Sequence, residues 1–304
     1  MSILGIDLGG TKIAAAVFND GAIAERETVE LDKTGGAAVG AQISALIDRF
    51  ASNVQAVGIC VPGIYRECSG TVWAPNIQGW RDYPLLVLAR SAAGALPVAI
   101  DSDRACYILG EHWKGNAQGC SDAIYLAVGT GIGAGIMSGG RVLSGAHGIA
   151  GAVGWMALER PYSDDFDQSG CFESQASGDG IAAVAKRILR ETTTYTGPLN
   201  AELTARDVFT AFREGDKIAE RTIDNCIELW GMASANLVSI FDPEKIIFGG
   251  GVFGPAVELI PRIKQEAEKW GQPVAMHHVS FESSALGNDA GLYGVALLAE
   301  RMID

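Results

Sequence analysis

The feature of the sequence that most constrains its fold is a pattern of strand, glycine turn and strand that occurs twice. The first copy is SILGIDL-GGTK-IAAAVFNDG, residues 2–21, and the second is SDAIYLAV-GTG-IGAGIMSGG, residues 121–140. In each copy an apolar run reaches a tight turn, and a second apolar run leaves it. RVLSG, residues 141–145, continues the second copy as a third strand. The pattern predicts an internal duplication, with a similar β-sheet in each half of the chain.

Helical patterns alternate with these strands. They cover residues 35–50, 180–191, 217–241 and 289–301, and Asp242-Pro243 ends the longest one. Alternating strands and helices indicate an α/β protein. We predict two domains, an N-terminal one over residues 1–105, completed by the C-terminal helix at 289–304, and a larger one over 106–288.

Composition excludes several classes of function. The net charge of −13, without a visible basic patch, argues against nucleic acid as a partner. No apolar run reaches the ~18 residues of a membrane span, and the N-terminus enters a strand pattern without a basic region. The six cysteines form no CxxC pair, which favours free thiols over disulfides or a metal cage. We therefore expect a cytoplasmic protein without a membrane partner.

The first turn, IDLGGTK, places a carboxylate at a strand end and several donors directly after it. Asp7 could hold Mg²⁺, directly or through water, while the amides and hydroxyl of Gly9, Gly10, Thr11 and Lys12 cradle a phosphate. An ordinary Gly-Gly hairpin explains the same residues, so this motif alone does not decide between the two.

The second turn, VGTGIGAG, has alternating glycines at Gly129, Gly131 and Gly133, with Thr130 between the first two. A strand follows instead of a helix, which excludes both the dinucleotide fingerprint and the Walker A loop. Thr130 and the neighbouring amides could meet a γ-phosphate, although a glycine-packed strand pair is an equally good explanation. A third glycine run, Gly249–Gly251, follows the strand KIIF and offers flat backbone for an adenine or a ribose.

Taken together, the two turns and the late glycine run resemble the actin-like ATPase (ribonuclease H-like) fold. That resemblance implies two duplicated domains with ATP in the cleft between them. Within this fold the whole chain resembles the ROK family of glucokinase-like sugar kinases. The resemblance rests on GIDLGGTK, GICVPG, APNIQGW, DSDRACYILGE, VGTGIGAGIMSGGRVLSGAHGIAG, GCFESQASG, FGGGV and GNDAGLYGVALLA. It implies phosphoryl transfer from ATP to a sugar hydroxyl, with Mg²⁺.

The family resemblance assigns candidate residues around the acceptor. In DSDRACYILGE the family pattern is Asn-Asp, eight residues before a Glu, which makes Asp103 the catalytic base and puts Ser102 in the place of Asn. Asp101 is the rival base, and a helix N-cap is the structural alternative for Asp103. Asn76 matches the sugar-binding Asn of the family, and Gly63 matches a residue whose backbone approaches the sugar. Trp80 is expected to pack locally.

The sequence departs from the family in its sugar and zinc motifs. Ala152 and Trp155 in AVGW replace the Glu and His of Glu-x-Gly-His, and Asp164, Phe166 and Asp167 replace Cys, Cys and Gly in the following cysteine motif. Gly170, Cys171 and Glu173 remain. One cysteine cannot hold a tetrahedral zinc, so we predict no zinc and expect Trp155 and Phe166 to fill the former ligand positions by packing.

Glu173 is expected to bind sugar hydroxyls. For Trp155 we prefer packing over the alternatives, which are stacking on a sugar face or making room for a substituent at C2. His147 is more easily explained as an exposed loop residue than as a substitute polar contact. The leading hypothesis is an ATP-dependent kinase of a hexose or an N-acetylhexosamine, and the family resemblance implies a homodimer. The alternatives are a sugar-binding pseudokinase or sensor without turnover, and a DNA-binding regulator, against which the acidic charge argues.

Overall fold

The structure, a computed structural model, describes residues 1–303 and divides into two compact units. The first unit comprises Met1–Gly119, Val142–Ala150 and the segment from Asn288 onward. The second unit comprises Cys120–Arg141 and Gly151–Gly287. The segment Val142–Ala150 therefore belongs to the first unit, although the chain on either side of it belongs to the second.

The helices and strands follow one another with few long loops. Up to residue 119 they are β1 (Ser2–Leu8), β2 (Lys12–Asn19), β3 (Ala22–Glu30), α1 (Gly36–Phe50), β4 (Ala56–Val61), β5 (Ile64–Arg66), β6 (Thr71–Trp73), α2 (Leu85–Ala93), β7 (Val98–Ser102) and α3 (Asp103–Lys114). From residue 120 they are β8 (Ala123–Val128), β9 (Ile132–Ser138), β10 (Arg141–Val142), α4 (Glu173–Ala176), α5 (Gly178–Glu191), α6 (Ala205–Arg213), α7 (Lys217–Phe241), β11 (Lys245–Gly249), α8 (Ile260–Trp270), α9 (Pro273–His278), β12 (Ser280–Ser283) and α10 (Ala290–Glu300).

The large sheets of the two units have the same strand order. The first sheet runs β3-β2-β1-β4-β7 and the second β10-β9-β8-β11-β12, so the opening hairpin of each half lies beside two later strands. In both sheets the first strand pairs antiparallel with the second and parallel with the fourth. The predicted duplication and the α/β class are confirmed. RVLSG forms a shorter strand than predicted, because β10 ends at Val142, where the chain enters the first unit.

Helices cover both faces of the first sheet, and the side chains of β1 point alternately to one face and the other. Leu4, Ile6 and Leu8 lie in a core shared with α1 and α2, whereas Ile3 lies in a second core with Leu292 of α10. Successive side chains of a strand point to opposite faces, so one strand supplies both cores. The central strand β4 is buried along its whole length, as expected for a parallel strand between two layers of helices.

The boundaries of the longest helix follow from its flanking residues. Asp216 accepts hydrogen bonds from the backbone N–H groups of Ile218 and Ala219, at 3.0 and 2.9 Å, which caps the start of α7. The helix ends at Phe241, and the next residue, Asp242, adopts a left-handed conformation with φ 44° before Pro243. The predicted bounds of this helix, 217–241, are confirmed. No helix within residues 1–303 combines the length and the apolar character that crossing a bilayer requires.

Helices α3 and α10 pack at backbone distance within the first unit. A Cβ added to Gly110 of α3 would collide with the carbonyl oxygen of Ala290, and one added to Gly294 of α10 would collide with that of Cys106. Helix α3 crosses the predicted domain limit at residues 105 and 106, and it lies wholly in the first unit, which extends to Gly119. The limits 1–105 and 106–288 stay a prediction.

Gly294→Ala tests this close packing. The added methyl group has no room beside Cys106, so we expect overpacking to lower the free energy of unfolding by about 1–3 kcal/mol, measured by urea denaturation. The matched control is Gly254→Ala, whose added Cβ would meet only Gly251 O, at 3.6 Å. Equal stability of the two variants would contradict the packing account.

Candidate active site

The turn between β1 and β2 is a closed hairpin that presents exposed polar groups. Gly9 N–H donates to the carbonyl oxygen of Lys12 at 2.9 Å, and Leu31 N–H donates to that of Thr11 at 3.0 Å. A Cβ on Gly10 would have no neighbour within 4 Å, and Gly10, Thr11 and Lys12 are exposed. The turn therefore leaves free space above its backbone, as a phosphate-binding turn requires.

Asp7 lies beside this turn as a partly buried carboxylate. Its pKa is raised to about 6, chiefly by burial and also by the charges of Asp103 and Asp289, while the hydrogen bond from Cys60 and the charge of Lys12 lower it. A Cβ on Gly291 of α10 would lie 2.7 Å from Oδ2 of Asp7, so only glycine leaves room there. Burial and two neighbouring carboxylates disfavour the negative charge of Asp7. A divalent cation bound to Asp7 would stabilise that charge, so the environment of Asp7 is compatible with a cation site.

Asp103 is the first residue of α3, whose N-cap is Ser102, so the alternative interpretation of Asp103 as a helix N-cap is wrong. Oδ1 accepts the backbone N–H of Arg104 at 2.8 Å. Burial raises the pKa of Asp103 to about 6, although the Arg104 charge and the backbone amides of Arg104, Asp103 and Gly63 counteract it. A base whose pKa is near neutral suits proton transfer at physiological pH.

The neighbours of Asp103 are occupied by local hydrogen bonds. Oδ1 of the rival base Asp101 accepts the N–H of Ser102 at 2.7 Å, and burial raises its pKa. Ser102 is buried, and its Oγ accepts the N–H of Ala105 at 3.4 Å, which caps α3. A hydroxyl that accepts such a bond can still donate its own O–H, so the predicted substrate contact of Ser102 stays a prediction.

The residues predicted to approach the sugar within the first unit lie in two turns. Gly63 has φ 115°, and a Cβ there would collide with the carbonyl oxygen of Trp73. Asn76 is exposed at the tip of a turn that is closed by a hydrogen bond from Ala74 N–H to Trp80 O at 2.8 Å. As expected, Trp80 packs locally, because it is 1% exposed and its Nε1–H donates to Gly36 O at 3.0 Å.

The second hairpin, between β8 and β9, is held by backbone bonds of its own. Gly129 N–H donates to Gly131 O at 2.9 Å, and Gly178 N–H, at the start of α5, donates to Gly129 O at 2.7 Å. Thr130 is exposed at the tip, whereas Gly133 lies within β9. Thr130 is thus free to meet a ligand that approaches this turn.

The glycine run after β11 approaches the second hairpin. A Cβ on Gly249 would collide with the Tyr125 hydroxyl, and one on Gly250, with φ 86°, would collide with the carbonyl oxygen of Val128. Gly251 is exposed and has no neighbour within 4 Å of an added Cβ. The run combines close backbone packing with an open surface.

Glu173 joins the second hairpin to the predicted sugar loop. Its Oε2 accepts the backbone N–H of Ile132 at 2.6 Å, and Cβ atoms added to Gly131 and Gly154 would lie 2.8 and 2.9 Å from this oxygen. Burial raises the pKa of Glu173, and the Ile132 bond opposes this increase. No sequence motif indicates this bond, because Glu173 and Ile132 lie far apart in the chain.

Trp155 is exposed, so the prediction that it packs into the loop is wrong. Its side chain is 58% exposed, because the short 3₁₀ turn Val153–Trp155 directs Val153 into the core and leaves the indole outside. Phe166 is 8% exposed and is buried as expected. Ala152 is partly buried and His147 exposed.

Backbone contacts hold the loop that carries the altered motifs. Ala134 of β9 donates its N–H to Gly151 O at 2.7 Å, and Phe172 N–H donates to Gly154 O at 3.1 Å. A Cβ on Gly170 would lie 2.6 Å from the Cα of Trp155. Among residues 1–303, no group of three or more His, Cys, Asp or Glu side chains is placed to hold a metal ion.

Two side chains near Asp7 and Asp103 were missed at the sequence level. The thiol of Cys60, in register with Asp7 on the adjacent strand β4, hydrogen-bonds its carboxylate. Arg104 follows Asp103 directly, and its guanidinium reaches three backbone carbonyls. The position of Arg104 directly after a candidate base was an available signal, whereas Cys60 lies beside Asp7 only through strand pairing, which no local motif indicates.

The duplicated α/β units, each with a glycine turn after its first strand, define the actin-like ATPase fold. The ROK family model matches residues 3–302, and the chain belongs to this family. Its relatives include the glucokinase of Halalkalibacterium halodurans, 33% identical over 98% of this chain and 94% of that protein. The N-acetylmannosamine kinase of Shigella flexneri is 31% identical over 99% of each chain. The Streptomyces griseus ROK family glucokinase, solved with glucose and AMPPNP, matches with a TM-score of 0.81 and 29% identity over 99% of this chain and 100% of that chain.

The loop around Trp155 generates a prediction about metal and stability. We expect the purified protein to contain substoichiometric zinc by mass spectrometry, and EDTA to leave its melting temperature unchanged. Phe166→Ala should lower the free energy of unfolding by about 3–5 kcal/mol, because it empties a buried site. Ile240→Ala, at a residue that is 67% exposed, is the control. One zinc per chain would refute this account of the loop.

Proposed function

We propose that this protein is an ATP- and Mg²⁺-dependent sugar kinase that transfers the γ-phosphate of ATP to a hydroxyl of a hexose or an N-acetylhexosamine. The observation that carries the proposal is Asp103, a partly buried carboxylate with a pKa raised to about 6 at the start of α3. Membership of the ROK family and the kinase relatives support it.

Asp103 acts as the general base. Its carboxylate accepts the proton of the attacking sugar hydroxyl, and the amides of Arg104 and Gly63 hold the carboxylate in place. Its raised pKa makes it a better proton acceptor than an exposed Asp, while it is still ionised at pH 7. Asn76 and the Gly63 backbone bind hydroxyls of the same sugar in this proposal.

The two glycine turns bind the phosphates of ATP. Gly9, Gly10, Thr11 and Lys12 supply donors from the first hairpin, and the predicted residues of the second hairpin, Gly129, Thr130, Gly131 and Gly133, supply further ones. Gly249–Gly251 bind the nucleoside. Mg²⁺, when bound, offsets the charge that develops on the transferred phosphoryl group. Asp7 is the residue that would hold this ion, directly or through water.

Glu173 and Trp155 contribute the acceptor contacts of the second unit. One oxygen of Glu173 accepts the Ile132 amide, so Oε1 is the atom available to a sugar hydroxyl. Trp155 has an exposed indole where the family motif carries His, and Ala152 offers no polar atom where it carries Glu. Acceptors that need those two polar partners are disfavoured, because their hydroxyls would be left unpaired.

The test is ADP release measured across a panel of hexoses and N-acetylhexosamines, with Asp103→Asn as the matched variant. We expect Asp103→Asn to lower kcat by about 10²- to 10⁴-fold, because it removes the general base. It should unfold at the wild-type temperature or above at pH 7.5, because it removes a carboxylate charge that burial disfavours. Absence of turnover above this variant for every sugar would overturn the kinase proposal.

The pH dependence follows from the same carboxylate. Because the pKa of Asp103 is raised to about 6, kcat/KM for the sugar should fall about tenfold per pH unit as the pH drops below 6. Saturating Mg²⁺ is used throughout, since the pKa of Asp7 is also raised to about 6. A profile that is flat between pH 5 and 7 would contradict the assignment.

Glu173 generates a second kinetic prediction, because it contacts the phosphate turn as well as the sugar loop. Glu173→Ala should raise KM for both ATP and the sugar about tenfold or more, through loss of a charged hydrogen bond. Glu173→Gln keeps an oxygen that can accept the Ile132 amide and should leave KM for ATP nearer the wild-type value. Asp179→Asn, which removes a neighbouring exposed charge, is the control. An unchanged KM for ATP in Glu173→Ala would contradict this role.

The altered sugar motif favours one alternative, a sugar-binding pseudokinase or sensor. Ala152 and Trp155 remove two polar groups of the family motif, and their loss is compatible with sugar binding without turnover. Calorimetric binding of a sugar without ADP release would favour the sensor. The cytoplasmic location and the homodimer expected from the family resemblance stay predictions, the second testable by light scattering.

A further inference from the structure

The side chain of Arg104 joins three segments of the first unit that are distant in sequence. Nη2 donates to the carbonyl oxygen of Gly63 at 3.3 Å and to that of Gly148 at 3.5 Å. Nη1 donates to the carbonyl oxygen of Ile149 at 3.5 Å. The planar guanidinium carries several donors in a fixed geometry, so one side chain can bind carbonyls from two loops.

Gly63 is held on both sides of its backbone by consecutive residues of α3. Its amide faces the carboxylate of Asp103, and its carbonyl accepts from Arg104. Because Gly63 has φ 115°, its conformation is one that L side chains rarely adopt. The turn thus depends on contacts from its surroundings for its shape, and α3 supplies two of them.

The loop 144–150 is exposed over most of its length. Ile149 is 50% exposed, and His147 is exposed as well. Within the loop, Ala150 N–H donates to Ser144 O at 3.1 Å, and Gly148 N–H donates to Gly145 O at 3.5 Å. A Cβ on Gly148 would lie 3.2 Å from Cγ2 of Ile64, which places this part of the loop directly against the chain that follows Gly63.

We propose that Arg104 is a positioning residue that fixes the Gly63 turn and the loop 144–150 around Asp103. The proposal rests on the kinase function proposed above, in which Gly63 and Asp103 contact the sugar acceptor. Arg104 itself touches backbone carbonyls and acts through the two loops. Its loss releases both loops, so the acceptor hydroxyl is no longer aligned with the carboxylate.

The test compares Arg104→Ala and Arg104→Lys with the wild type, using the sugar that gives the highest turnover in the panel. We expect both variants to lower kcat/KM for the sugar about 10²-fold, the size of effect that misplacement of a reacting group produces. KM for ATP should change less than twofold, since the residues proposed to bind ATP lie outside these contacts. Arg90→Ala, at an exposed residue of α2, is the control and should match the wild type.

A second measurement makes the proposal independent of activity. Hydrogen exchange followed by mass spectrometry should show faster exchange of amides in residues 144–150 for both Arg104 variants, and unchanged exchange for Arg90→Ala. Lysine carries the positive charge but lacks the planar guanidinium with its several donors. Wild-type kcat/KM together with wild-type protection of the amides in residues 144–150 in Arg104→Lys would therefore overturn the proposal. Unchanged exchange in Arg104→Ala would overturn it too, even if no sugar is turned over by the wild type. Failure of the wild type on every sugar, by contrast, overturns the kinase function alone.

Discussion

The close packing of helix α10 against helix α3 is the contact on which the first unit depends. Gly110 and Gly294 let the two backbones meet, and no larger residue fits at either crossing point without displacing a carbonyl. The same packing determines the electrostatics of the candidate site, because α3 begins with Asp103 and α10 begins beside Asp289. The charges of Asp103 and Asp289, from two distant parts of the chain, both raise the pKa of Asp7 at the end of β1. Because Asp7, Asp103 and Asp289 lie far apart in the sequence, they come together only through the packing of β1, α3 and α10.

This arrangement costs stability at neutral pH. The pKa values of Asp7 and Asp103 lie at about 6 in the folded protein, above the ordinary value of 3.8. The folded state therefore binds more protons than the unfolded chain between these pH values, and its stability increases as the pH falls through this window. The two apolar cores on either face of the first sheet offset this cost. Destabilising carboxylates at the site and stabilising apolar cores elsewhere are typical of functional proteins, because groups suited to proton transfer and cation binding are unfavourable for folding.

Patterns of local sequence predicted the regular elements well, and contacts between distant residues explain the failures. The bounds of α7 were predictable because Asp216 caps its start and Pro243 follows its end. The exposure of Trp155 was not predictable, because it depends on a 3₁₀ turn in which Val153, and not the indole, points into the core. The contacts of Arg104 were equally hidden, because its partners are backbone carbonyls, which leave no trace in residue type. Candidate site residues were recognised from motifs, whereas the hydrogen bonds that orient them had to be read from the structure.

The altered loop illustrates how side chains can change while a backbone frame is kept. Gly151 bonds to β9, Gly154 leaves room for Glu173, and Gly170 packs against the backbone at Trp155, so three glycines fix the course of the chain through this loop. Backbone contacts of this kind do not depend on a metal ligand or on the side chain at residue 152. Replacement of a polar pair by a methyl group and an exposed indole therefore changes what the loop can recognise more than how it folds. In the proposed kinase, the loop loses hydrogen-bonding partners and gains a flat apolar surface, which shifts selectivity towards acceptors that present an apolar face or substituent.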